Sequence, residues 1–291
     1  MRNHPLTPFL FLIPGVIILG AFIFYPMLNA IWLSFTNYTI VTDAEFIGLE
    51  NYKGLFADAL FWKVLGQTLL YLVIVVPALV ILPIFLAILV NQQVKGIGFF
   101  RSAYYVPVVT SMVVVGIAWK WVYADKGILN YILESLGLIS EPVNWLTSTT
   151  TSIFAVMVVT IWKGLGYYMV IYLAGLQSIS DDLYEAADID GASKWKQIWH
   201  ITIPLLMPSI MIVTIMSSIS AMKVFEEIYV MTGGGPLNSS KTLVFYIYEE
   251  AFDKLQMGYA SAAGVVLFII TLIFSVINIK FMSKKESAIK G

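Results

Sequence analysis

Six stretches of the chain are apolar for about twenty residues or more, at roughly 9–35, 65–91, 103–123, 152–176, 204–224 and 260–281, and polar or Gly/Pro-rich segments separate them. A helix needs about 20 consecutive apolar residues to cross the hydrocarbon of a bilayer, so the pattern predicts six spanning helices. Pro14, Pro26, Pro77, Pro83 and Pro107 fall inside or near these stretches. Proline is costly inside a soluble helix, but in a membrane bundle neighbouring helices take up the carbonyls it frees. Kinked, bundled helices follow. Arg2 and His4 precede the first stretch as they would a signal peptide. The stretch nevertheless continues through Phe24, Tyr25 and Trp32, past the roughly 7–15 apolar residues of a signal sequence, and reads as a retained span.

Composition agrees on the solvent. Of 291 residues, 59% are apolar and 12% charged, with a mean hydropathy of +0.84, a balance that argues against a large soluble enzyme. A net charge of −1 provides no basic field for nucleic acid, and no nucleic-acid partner is expected. With no cysteine, disulfides, thiolate catalysis and cysteine-based metal sites drop out. His4 and His200 stand apart and form no metal-binding pair.

Six spans place both termini on one side. Lys280, Lys284, Lys285 and Lys290 form the strongest basic cluster, so both ends are expected in the cytoplasm. The tally is narrow. Those four with Arg2, Lys95, Arg101, Lys194 and Lys196 make nine inside, against seven outside at Lys53, Lys63, Lys120, Lys126, Lys223, Lys241 and Lys254, with Lys163 inside a span. No fixed-period repeat or low-complexity linker divides the chain, so one domain over 1–291 is expected. The outer loops, about 36–64, 124–151 and 225–259, have too little apolar periodicity for a core of their own and read as docking or lid surfaces.

The loop at about 177–203 has its own grammar. Asp182 with Glu185 three residues later resembles a capping box, the run from Leu183 to Ile189 favours a short helix, and Gly191 can take the left-handed conformation that ends it. About two turns result. Beyond it, Trp195, Ile198 and Trp199 share one helical face, as expected at a membrane interface, and Pro204 opens the fifth span. Ala186 and Ala187 allow close seating in a partner's groove, while Glu185, Asp188 and Asp190 offer acceptors there. An ordinary amphipathic loop would carry many of the same features.

The spacing adds a resemblance. Glu185-Ala186-Ala187, three residues, Gly191, nine residues, Ile201, one residue and Ile203-Pro204 closely resemble the EAA signature of binding-protein-dependent ABC importer permeases, with Ile203 in place of the usual leucine. Phe46 to Tyr52, Arg101 to Pro107, Thr232-Gly233-Gly234-Gly235-Pro236 and the Lys-rich tail are similar to the sugar-permease branch related to the maltose permease subunits. The resemblance implies an all-α membrane protein of type I ABC importer permease fold in a bacterial or archaeal cell membrane. It implies a heterodimer with a second homologous permease, two ABC ATPase subunits and an extracytoplasmic solute-binding protein. ATP and Mg would be used by the ATPases, and this chain would bind no cofactor and catalyse no reaction. Asp182, Glu185, Ala186, Ala187, Asp188, Gly191 and Ala192 would make the ATPase-coupling segment.

For a carbohydrate solute, the same resemblance carries the path onto Gly164, Tyr167, Ser217, Ser220, Ala221 and Val224. Helix packing would equally employ such small and hydroxylated residues. Lys163 stands out because a lysine at mid-bilayer costs about 2.5–3.5 kcal/mol on insertion scales. Either it lines the solute path, with Lys223 as a helper, admitting an anionic sugar or a glycerol phosphate, or it is paired internally with Glu226 or Glu227. The Gly233–Pro236 run predicts a tight turn with positive φ; it lacks the Lys-Ser/Thr of a nucleotide loop. Two rivals fit less well: a gradient-driven transporter usually shows internal repeats, and a membrane enzyme needs a nucleophile, metal or acid/base cluster that no span supplies.

Overall fold

The computed structural model describes residues 7–92 and 96–290, with side chains over 11–92 and 96–280. Arg2, His4 and Lys95, and the side chains of Lys284, Lys285 and Lys290, lie outside the described residues. Helices account for nearly all regular structure: α1 (Thr7–Leu19), α2 (Tyr25–Leu33), α3 (Glu50–Ala57), α4 (Ala59–Val90), α5 (Ile97–Val109), α6 (Met112–Val122), α7 (Ile128–Ser135), α8 (Ser152–Leu176), α9 (Asp181–Ile189), α10 (Lys194–Gln197), α11 (Ile203–Leu205), α12 (Met207–Met222), α13 (Glu226–Met231), α14 (Leu243–Tyr248) and α15 (Met257–Lys290). Among the described residues the one extended pairing is an isolated bridge, Thr36 with Phe46.

Four helices are long and apolar enough to cross a membrane, Phe11–Leu33, Ala59–Val90, Ser152–Leu176 and Met257–Lys280. Two further spans are bent pairs: α5 with α6 at 101°, and the Lys194–Leu205 segment with α12 at 68°. The kink expected around Pro107 is a full break in the third span. The break falls just beyond Pro107, where Thr110 is extended (ψ 136°) and its hydroxyl takes the Val106 carbonyl at 2.8 Å in competition with the helical ladder. The fifth span bends at Leu206, between α11, which carries Pro204 in its first turn, and α12, because Pro208 has no N–H to pass to the Pro204 carbonyl. In α4, Pro83 frees a carbonyl, and the Tyr172 hydroxyl of α8 donates to the neighbouring Val80 carbonyl at 3.0 Å. Arg101 caps the C-terminal end of α4 through Val90 O, at 3.1 and 2.7 Å.

The residues through Trp62 and Tyr246–Ile270 pack as one unit, and Lys63–Phe245 with the residues from Thr271 onward as a second. In the first unit Asn51 donates to the carbonyls of Ser34 (2.9 Å) and Thr36 (2.8 Å), while the Tyr246 hydroxyl donates to Asp58 (2.7 Å). Together these fix α3 and the loop before it.

In the second unit, the segment after α13 is not a lid. Ser239, Ser240, Lys241 and Thr242 are buried. Gln67 donates to the Asn238 and Ser239 carbonyls, both at 2.9 Å, and Thr68 accepts from Leu243 N at 2.9 Å. These bonds tie the segment into the start of α4. The Gly233–Gly234 turn has the expected positive φ, 58° and 77°.

Gly166 lets α5 approach α8, since a Cβ there would run into the Tyr104 carbonyl. Overpacking of this kind costs roughly 1–3 kcal/mol. Gly166→Ala is expected to lower the thermal unfolding midpoint of the detergent-purified protein by several degrees. Gly66→Ala, with no atom near the added methyl, is expected not to lower it, and equal midpoints for all three proteins would refute the close approach.

Candidate functional site

Two regions of the second unit gather the candidate residues. The first is α9 and its surroundings. Its N-cap is Ser180 and not Asp182: the Ser180 hydroxyl accepts from Asp182 N at 3.4 Å, and Asp181 and Asp182 sit in the first turn, where negative charge suits the helix dipole. Both residues are good cap formers, so the cap shifts by two positions without changing the helix. At the other end Gly191 has φ +72°, Gly191 N donates to Asp188 O at 3.1 Å and Ala192 N to Ala187 O at 2.9 Å. This is a Schellman stop. Asp182, Glu185, Ala186, Asp188 and Gly191 are exposed, with Ala187 and Ala192 half-buried, so the helix offers an open, small-residue surface.

The back of α9 is held from below. Gln197, 4% exposed, donates to the Asp188 carboxylate and to Ala192 O (3.2 Å), and Lys194 reaches both Asp188 oxygens at 3.0 Å. The ammonium of Lys194, aided by Gln197, holds the Asp188 carboxyl below the usual carboxylate range. The ion pair is solvent-exposed and contributes little stability by itself; the buried Gln197 amide is the firmer tie. Tyr184 and Thr202 share a hydroxyl–hydroxyl bond at 2.9 Å. Thus α9 is fastened to the α10–α11 arm that runs through a π-helical turn, Ile198–Thr202, into the fifth span. Trp195 and Trp199 are exposed with rings 5.8 Å apart, consistent with the expected interfacial face.

The second region is a pair of adjoining cavities. One, of about 510 Å³, is lined by Lys163, Gly164 and Tyr167 of α8, Ser220 of α12 and Glu227 of α13, with Thr160 and Tyr168. The other, of about 390 Å³, shares Thr160, Ser220 and Glu227 and adds Ser217, Ala221, Lys223, Val224 and Glu226. All seven path candidates therefore border one cavity or the other, but unequally. Ser217, Ala221 and Val224 are buried, and the Ser217 hydroxyl is directed back to Thr214 O at 3.2 Å. Tyr167 and Ser220 are exposed, and Lys163 is half-buried on the same wall system as Glu227. The larger cavity thus carries an ammonium, a carboxylate, hydroxyls and an aromatic ring.

The sequence reading missed Thr160 and the α9 fastening by Tyr184, Gln197 and Thr202. A glutamine three residues after a lysine carries no signal until the chain turn at Gly191 brings both back to Asp188.

Comparison with known proteins adds three findings. The family model described as "Binding-protein-dependent transport system inner membrane component" matches residues 54–283. The chain is 36% identical over 277 residues to the multiple sugar-binding transport system permease protein MsmF of Streptococcus mutans, covering 95% of each, and 34% identical over 280 residues to the sulfoquinovosyl glycerol transport system permease protein SmoG of Agrobacterium fabrum, covering 95% of this chain and 90% of that one. Its fold matches a bacterial alginate ABC transporter solved in complex with its alginate pentasaccharide-bound periplasmic protein, with a TM-score of 0.83 and 25% identity over 96% of this chain and 94% of the other.

Gln197→Leu keeps the volume but removes the donors to Asp188 and Ala192. A loss of about 1–3 kcal/mol corresponds to roughly 5–150-fold, and amide hydrogen exchange at 190–192 is expected to accelerate within that range. Unchanged exchange there would show that Gln197 does not hold α9.

Proposed function

The chain belongs to the family of binding-protein-dependent transport system inner membrane components, and on that premise we propose that it forms one half of the pore of an ATP-driven carbohydrate importer. It is a transport subunit of all-α, type I ABC permease fold. The observation that carries the solute assignment is the cavity of about 510 Å³ bearing Lys163, Tyr167, Ser220 and Glu227. A sugar presents hydroxyls that both donate and accept, together with apolar C–H faces, and this lining offers a counterpart to each. Lys163 donates to hydroxyl or carboxylate oxygens, Glu227 accepts from hydroxyls, and Tyr167 offers a ring face. The solutes named for the relatives, multiple sugars, sulfoquinovosyl glycerol and alginate, support a glycoside or oligosaccharide, with acidic sugars admitted by Lys163.

The partners follow from the two ends of the fold. The exposed α9, with Glu185, Ala186, Ala187 and Gly191, is the docking element for one of two ATPase subunits, which bind the ATP and Mg that this chain does not. That orientation makes the 177–203 loop and both termini cytoplasmic and turns the opposite face toward a solute-binding protein. The span Phe11–Leu33 is unburied within this chain, which supports lipid and a second, homologous permease as its surroundings. ATP-driven closure of the ATPase pair displaces α9, and the Asp188–Gln197 and Tyr184–Thr202 ties pass the displacement to the arm leading into α12, whose Ser220 lines the cavity.

Lys163→Met is expected to lower ATP-driven uptake at least tenfold while assembly with the ATPases stays normal. Maltotriose, arabinotriose and an alginate trisaccharide serve as test solutes, and a larger loss for the acidic sugar marks an anionic solute. Unchanged uptake kinetics in a normally assembled variant would remove Lys163 from the path. Glu185→Ala is expected to leave the permease folded while detaching or uncoupling the ATPase; coupled hydrolysis at the wild-type rate would overturn the docking role of α9.

A further inference from the structure

A third cavity in the second unit lies away from the path residues. It measures about 370 Å³, within the range of small-molecule sites. Lys120 at the end of α6, Asp125 in the following turn, and Asn144, Trp145 and Thr147 before α8 line it. Asp125, Asn144 and Thr147 are exposed, and among the described residues their side chains form no hydrogen bond. Their polar groups are therefore available to a ligand.

The walls are built more firmly than loops of this kind require. Asn130 of α7 is 1% exposed. Its amide nitrogen donates to the carbonyls of Ala124 and Asp125 (both 3.3 Å) and Val143 (3.1 Å), while its oxygen accepts from Val143 N (3.2 Å) and the Trp145 indole N–H (2.9 Å). One buried amide thus pins the turn carrying Asp125 to the segment carrying Asn144 and fixes the indole plane. Behind it, the Tyr123 ring lies 6.0 Å from the Trp145 ring, and the Tyr123 hydroxyl is anchored on Ala155 O at 3.1 Å. Preorganised support of this sort is what a binding constellation needs and a solvent loop does not.

We propose that this cavity is a second carbohydrate subsite, which receives the sugar before the deeper cavity does. This rests on the carbohydrate-importer reading above. The chemistry is that of a pyranose: an indole for the C–H face, and a planar carboxylate and amide for adjacent hydroxyl pairs, with a nearby ammonium. Its position suits the role. Met231 lines this cavity and Glu227 the deeper one, and the two lie one turn apart on α13, about 6 Å of rise. In the proposed orientation the cavity faces the solute-binding protein.

The test is saturation-transfer NMR on the assembled transporter in nanodiscs, without the solute-binding protein, using maltotriose, arabinotriose, raffinose and an alginate trisaccharide as probes. At least one probe is expected to bind the wild type, and the double variant Asp125→Ala/Asn144→Ala to bind it at least tenfold more weakly. In binding-protein-driven uptake, the same variant is expected to raise KM at least fivefold with kcat unchanged. Trp145→Ala is expected to act in the same direction; because it also removes a bond to Asn130, the double variant at exposed positions carries the test if Trp145→Ala fails to assemble. Equal binding by wild type and double variant, or no binding of any probe, overturns the subsite. Weakened association of the solute-binding protein with sugar binding unchanged also overturns it and assigns the face to protein docking. ATP-driven uptake of a probe at unchanged KM in the double variant overturns the subsite alone, whereas no ATP-driven uptake of any carbohydrate by the wild type overturns the importer reading itself.

Discussion

In hydrocarbon, any backbone N–H or carbonyl that leaves a helical ladder must find a partner within the protein or a water-lined cavity, at a cost of several kcal/mol for each one that fails. This chain leaves its ladders repeatedly, at Thr110–Ser111, at Leu206 and at the prolines of α4. Side chains meet three carbonyls at or near such points: the Thr110 hydroxyl at Val106 O, the Tyr172 hydroxyl at Val80 O, next to the carbonyl that Pro83 frees, and the Arg101 guanidinium at Val90 O, where α4 ends. The bend of the third span has its substitute in the Thr110 hydroxyl. The bend of the third span borders the cavity that carries Lys163: Val108, two residues before Thr110, lines one wall, and Ser220 of α12 another.

The same constraint explains why polar chemistry gathers where helices are interrupted. Continuous helices such as α4 present mainly apolar side chains and little chemistry. The short helix α13 follows a turn at Lys223–Phe225, and it brings Glu226 and Glu227 to cavities whose other walls are helical. At the far end of the unit α9 is short, polar and exposed, yet tied by Gln197 and Tyr184 to the arm of the fifth span. A helix held in this way can transmit a displacement, whereas one on a slack loop would absorb it.

Much of this was legible from the residues. Apolar run length is a strong signal, and the four long apolar helices and two bent pairs among the described residues each overlap one of the stretches it marks, while the Asp181–Ile189 helix follows from local capping rules that act over a few residues. The bends were not legible. Pro107 announces a kink, but a 101° turn at Thr110 depends on side-chain competition and on packing against α8. The buried Ser239–Thr242 segment reads as a polar outer loop, because its partners Gln67 and Thr68 lie about 170 residues earlier in the chain. Lys163 reads from the sequence as a residue needing polar surroundings, and Thr160 and Glu227 join it around one cavity only in three dimensions. The fastening of α9 escaped notice for the same reason.

The central claim is that α9 converts ATP hydrolysis by partner subunits into movement of this pore. The most direct measurement is to purify the chain from its native membrane, identify what accompanies it, and follow solute uptake in proteoliposomes with ATP or with an ion gradient. The account predicts that an ATPase and a second permease accompany the chain and that uptake requires ATP and the solute-binding protein. Uptake by the chain alone, driven by an ion gradient without ATP, would contradict it.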